Sequence, residues 1–157
     1  MEEKKVLRDF EEGFGKLKQE LKFKTSLDEI DEIFFIRDII LQDDFVSKNL
    51  FRQMAYRIME FYLRWNDYLH GLIMPNPQNI LNLSESKLFN QEEKRVITNM
   101  MKKIMELNSK NILISLTRDK TEEGKFIDYS VHIWKNELQP ELVKLIKKIN
   151  KEWGENK

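Results

Sequence analysis

With 157 residues, 41% of them apolar and 11% aromatic, the chain can bury a core without covalent staples, and its composition is not that of a disordered segment. Its 27 basic and 27 acidic side chains cancel, which excludes a global electrostatic pull toward nucleic acid or membrane but not a local charged patch. The lack of cysteine excludes disulfides and thiolate metal sites, and two histidines leave only a mainly carboxylate metal site.

The opening Met-Glu-Glu-Lys-Lys is charged where a signal peptide would be apolar, and no apolar run nears the roughly 20 residues that span a bilayer. These features lead us to expect a soluble, cytoplasmic protein without a membrane partner, in a single domain over residues 1–157. Leu7, Phe10, Phe14, Leu17 and Leu21 recur at alternating spacings of three and four. That is a narrow helical seam, which either docks inside the chain or receives a partner. Ser26 with Glu29 then forms a capping box, and Asp28, Asp31 and Glu32 add negative charge near a helix start. The following run Ile-Phe-Phe-Ile-Arg-Asp-Ile-Ile-Leu predicts a second, well-buried helix ending at Asp43-Asp44.

The longest helical pattern covers about residues 45–73 and is expected to be the central helix. Phe51, Met54, Ile58, Phe61, Tyr62, Trp65, Tyr68, Leu69 and Leu72 form its apolar side. Gln53, Arg57, Glu60, Arg64 and Asp67 fall on one arc and read as a solvated ladder of alternating charge. Between these lies a mixed strip in which Arg52, Asn66 and His70 interrupt an apolar flank, and these three are candidate binding residues. Gly71, Pro75 and Pro77 end the helix, and the connector after them holds a short turn at Ile80 to Leu83. Asn90 caps the next helix, whose apolar face is Ile97, Met100, Met101, Ile104 and Leu107.

Past Asn108-Ser109 the apolar residues recur with period two. Ile112, Ile114 and Leu116 alternate with Leu113, Ser115 and Thr117, and beyond a glycine-containing turn Ile127, Tyr129, Val131 and Ile133 alternate with Asp128, Ser130 and His132, which read as the solvent face. This predicts a β-hairpin over about residues 112–134. Residues 126–138 drawn as a helix would set Ser130 and Glu137 among apolar side chains, which favours strands. Pro140 then suits the first turn of a C-terminal helix with Leu142, Leu145, Ile146, Ile149 and Trp153 inward and Lys144, Lys147, Lys148 and Lys151 outward. The expected class is therefore α+β and predominantly helical. Its core is like a four-helix bundle around the central helix, with a hairpin and a closing helix added.

The sharpest chemical string is Arg64-Trp65-Asn66-Asp67-Tyr68-Leu69-His70. Its Arg, five-residue gap and His resemble the RNA-cleaving motif of HEPN domains, which are small helical bundles. The resemblance implies metal-independent ribonuclease activity with His70 in acid–base or transition-state work and Arg64 binding phosphate; Asn66, between them, is added as a third candidate catalytic residue. Trp65 departs from the pattern, since a polar residue commonly follows the Arg. Asp67 and His70 have half the spacing of a carboxylate-bridged metal site, and no second half occurs, so neither metal nor cofactor is expected. Without a complete catalytic set, the leading expectation is a non-catalytic interaction or assembly protein that binds a protein partner or another copy of itself. A HEPN-like ribonuclease or RNA-binding protein is the alternative, although the net charge does not itself indicate nucleic acid.

Overall fold

The computed structural model describes residues 2–155, and every regular element among them is helical. The elements are α1 (Glu2–Leu21), α2 (Leu27–Phe34), α3 (Ile36–Asp43), α4 (Leu50–Ile73), α5 (Ile80–Ser86), α6 (Gln91–Thr117), α7 (Lys120–Ile133) and α8 (Gln139–Glu155). A π-helical turn, Trp134–Leu138, joins α7 to α8 without a break. The described residues group into two compact units, one of Met1–Phe61 with Leu107–Val131 and one of Tyr62–Glu106 with His132–Lys157. None of these helices is long and apolar enough to cross a membrane.

The α+β class and the hairpin at residues 112–134 are thus overturned, and the reason is local. Ile97, Met100, Ile104, Leu107, Asn111 and Ile114 keep the three–four spacing straight through Asn108-Ser109. All but Asn111 are buried, so the seam of α6 does not stop where the turn-forming residues stand. Helix α6 instead ends at Arg118, whose φ of 54° is left-handed and whose N–H reaches the Ile114 carbonyl at 2.7 Å. Asp119 then caps α7, accepting from the N–H groups of Thr121 and Glu122 at 2.9 and 3.3 Å. Ser130 and Glu137, the two residues that argued against a helix, do fall on its inward side, but each has a partner. Fully buried Ser130 donates to the Ile127 carbonyl at 2.8 Å, and Glu137 accepts from Lys103 at 2.6 Å.

The expected second helix is likewise two helices, α2 and α3, hinged at Phe35 with φ 54°. A straight helix through this run would be apolar on every side. The break lets Ile30, Ile33 and Phe34 of α2 and Ile36 and Ile40 of α3 all turn inward. A left-handed residue that is not glycine costs about 1–2 kcal/mol, and two bonds at the hinge offset it. Arg57 Nε donates to the exposed end carbonyl of α2 at Phe34 (2.8 Å), and the Arg37 N–H at the start of α3 donates to Asp31 Oδ1 (2.9 Å). The expected solvated ladder of α4 is therefore solvated only toward its far end, where Arg64 and Asp67 are exposed. Gln53 is also committed elsewhere, since its amide donates to Asp43 and the Phe45 carbonyl and accepts from the Ser47 N–H. The helix begins at Leu50, not near residue 45, because this loop precedes it.

In the first unit, Phe10 and Phe14 of α1 are buried, with Phe14 edge-on to Phe23 at 5.4 Å. Two contacts from α7 hold the end of α1. Gly124 lies so close to the Leu21 carbonyl that a Cβ there would sit 2.4 Å from the oxygen. One turn on, the Asp128 carboxylate accepts from the Lys24 N–H at 3.0 Å, the Thr25 N–H at 2.9 Å and the Thr25 hydroxyl at 2.6 Å. It thereby satisfies the link between α1 and α2, which has no helical partner of its own.

In the second unit, Pro140 explains the π turn. Proline inside a helix removes one N–H and clashes with the carbonyl four residues back. Here the helix widens just before it, with the Gln139 N–H bonding to the Trp134 carbonyl five residues back. Pro140 thus stands in the first turn of α8, as expected, but α8 follows α7 through the π turn without a break. Asn90 caps α6 as expected, accepting from the Glu93 N–H at 2.8 Å, and the Glu93 carboxylate returns the bond by accepting from the Asn90 N–H at 3.1 Å.

Candidate functional site

The residues singled out by sequence are divided between the two units. Phe10, Phe14 and Leu21 of the α1 seam are buried within the first unit and Leu7 and Leu17 are partly covered, so the seam is occupied by the chain's own core. Arg52 belongs to the first unit, where its guanidinium donates to Asn111 at 2.7 Å. Asn111 sits at a core-facing position of α6, so this bond satisfies a polar group inside an apolar seam. Asn66 and His70 belong to the second unit. His70 and Arg64 are both exposed on the uninterrupted α4, and at 100° and 1.5 Å per residue they point about 120° apart and stand about 9 Å apart along the axis. The geometry does not bring the HEPN-like pair to one reacting centre. Asn66 is more unusual, because its Oδ1 is buried without a hydrogen-bond partner among the described residues.

What the structure presents instead in the first unit is an apolar surface on the last turns of α6. Ile112, Leu113 and Leu116 are 52%, 60% and 77% exposed. They are one, three and four residues apart, so they form a single continuous row on the helix. Beside the row lies a groove of about 400 Å³, lined by Leu113, Ile114, Phe126 and Tyr129 with Lys110, Asp119, Glu122 and Lys125 at its margin. Lys110 lies over the Tyr129 ring, 4.1 Å from its centre. Apolar floor with a mixed, balanced rim is the chemistry of a protein-binding surface. Sequence reading missed it because these residues were placed on strands. Extending the α6 seam to Ile114 would have left Ile112, Leu113 and Leu116 on the outside.

The second unit has two further grooves. Trp65 and Trp134, with ring centres 6.0 Å apart, line one of about 390 Å³ with Leu142, Val143 and Ile146. The other, about 540 Å³ and shallow, is lined by Ile73, Gln91, Lys94, Arg95, Thr98, Asn99 and Lys102. Elsewhere in this unit Glu85 accepts from the Tyr68 hydroxyl at 3.0 Å and from the Trp153 indole at 2.9 Å, tying α5 to α4 and α8. Burial, and then the Glu85 carboxylate, push the Tyr68 phenol up to about 12. The fold thus favours the neutral phenol. That stabilisation is complete below the ordinary tyrosine value of about 10 and is lost as pH rises from there through the raised value. Urea midpoints followed across this alkaline range should fall less steeply for Tyr68→Phe than for the wild type. Parallel curves would contradict the assignment.

The described residues contain no group of three or more metal-ligating side chains able to hold an ion. Set beside known protein families, curated proteins and solved structures, the chain matches no family model, no curated protein and no solved structure.

Proposed function

We propose that this chain is a non-catalytic interaction protein that docks another protein on the α6–α7 face of its first unit. The observation that carries the reading is the exposed row Ile112, Leu113 and Leu116 beside the Tyr129 groove. Burying one such aliphatic side chain fully contributes about 1.5–3 kcal/mol. Exposed singly they would need no explanation, but a contiguous row marks a surface meant to be covered. The α1 seam, which could have received a partner, does not serve because its residues are already packed within the first unit. With no cysteine to protect or pair, a cytoplasmic setting suits this role.

The test is affinity capture with wild-type chain and with a Leu113→Lys, Leu116→Lys variant, each checked for helicity. Both side chains are mostly exposed, so the variant should fold with a stability within about 0.5 kcal/mol of the wild type. The reading expects a stoichiometric protein partner on the wild type, lost from the variant. A wild-type chain that remains monomeric and partnerless, or a partner held equally by both, would refute it.

A further inference from the structure

The second unit carries a surface of different chemistry, the shallow groove along the first turns of α6. Gln91, Lys94, Arg95, Thr98, Asn99 and Lys102 line it, with Ile73 at the end of α4 as the one apolar contributor. At 1.5 Å per residue, Lys94 and Lys102 are about 12 Å apart along the helix. No carboxylate lines the groove, and among the described residues none of its three cations has an ion-pair partner. Of the two acids in the first turn of α6, Glu92 lies outside the lining. Glu93 is already engaged by Lys148 at 2.8 Å and by the Asn90 N–H, and these two bonds hold its carboxyl below the usual range. The basic face is thus not neutralised within the chain.

We infer that this face of α6 binds the phosphate backbone of a single-stranded nucleic acid without reading its sequence. The donor set is the argument. Ammonium, guanidinium and side-chain amide groups are the side chains that meet phosphate and sugar oxygens. Lys94, Arg95, Lys102, Gln91 and Asn99 supply them in one row, while the Thr98 hydroxyl is spent on the Lys94 carbonyl at 2.9 Å. A row of about 12 Å spans several strand charges, which recur about every 3.4 Å of a helical strand. The groove holds no aromatic platform on which a base could stack, so specificity for sequence is absent. An acidic peptide fits less well, because Ile73 alone offers no pocket for the buried anchor that peptide recognition needs. Zero net charge leaves the attraction local, so affinity is modest and steeply dependent on salt.

Fluorescence anisotropy with a labelled oligo-uridine strand tests this in a salt series. Each neutralised phosphate contributes about −0.7 to the log–log slope on a single strand, so three cations give a slope of about −2. Lys94→Gln, Arg95→Gln, Lys102→Gln together should weaken binding at least about tenfold and flatten that slope. The matching triple on the outer face of α8, Lys144→Gln, Lys147→Gln, Lys151→Gln, should leave binding unchanged. No binding at low salt, or equal loss in both triples, overturns the inference. So does equal or tighter binding of poly-glutamate or of vesicles rich in phosphatidylserine, which would assign the face to acidic peptide or to an anionic lipid surface.

Discussion

Gly124→Ala should destabilise the first unit by about 1–2 kcal/mol, against the direction that helix propensity alone predicts. In an open helix interior the same change gains up to about 1 kcal/mol. Here the added methyl would meet the Leu21 carbonyl oxygen at 2.4 Å, and the obstacle is backbone, not the movable end of a side chain. Relief requires α7 to move away from the end of α1, an overpacking cost of about 1–3 kcal/mol, of which the propensity gain offsets up to about 1 kcal/mol. Urea unfolding monitored by circular dichroism gives the sign directly, and a variant as stable as the wild type would show that the close approach is not maintained in solution.

Asp128→Ala should cost about 2–3 kcal/mol, the range for hydrogen bonds to a charged acceptor whose partners are then left unmet. The carboxylate answers two backbone N–H groups and a hydroxyl in the link between α1 and α2. Asp128→Asn separates charge from shape. Its remaining oxygen can still accept from Thr25, but its amide would set a donor against the Lys24 N–H, so an intermediate loss is expected. The sharper readout is hydrogen exchange at Lys24 and Thr25, which should accelerate in both variants. Unchanged protection there would remove the clamp from the account. Asp128 and Gly124 are one turn apart on α7 and press on the same stretch of chain, so their effects should not add independently.

Neither residue was recognised from sequence. Gly124 read as a turn glycine and Asp128 as the wet side of a strand, because a polar pattern of period two cannot show which polar groups have distant partners. The same blindness produced the hairpin. Ser130 and Glu137 looked misplaced on a helix, yet a serine can bond its own helix backbone and a glutamate can reach a lysine on another helix. Propensity and pattern carry no term for a partner supplied by tertiary packing. The ladder on α4 failed for a related reason: Arg57 and Glu60 do pair at 3.4 Å, but the main task of Arg57 is the carbonyl end of α2.

The candidate surfaces were partly legible. Lys94, Arg95 and Lys102 lie on a helix the sequence does predict, and plotting its polar face would have shown a row without acids. The aliphatic row of α6 needed the correct secondary structure first, since strand geometry scatters Ile112, Leu113 and Leu116 over two faces.

The sequence by itself determined the strong local signals: the caps at Ser26 and Asn90, the apolar seam of α1, the apolar faces of α4 and α8 apart from Tyr68 and Trp153, which are exposed, and the absence of cysteine chemistry. These depend on contacts within a turn or two of helix, or on composition, and so are written in neighbouring residues. Only the tertiary structure decided the rest. It broke the second helix at Phe35, carried α6 past Asn108-Ser109, widened the chain before Pro140, and left one aliphatic row and one basic row uncovered. Each of those outcomes turns on what another segment, far away in sequence, supplies or fails to supply to a polar group or an apolar face.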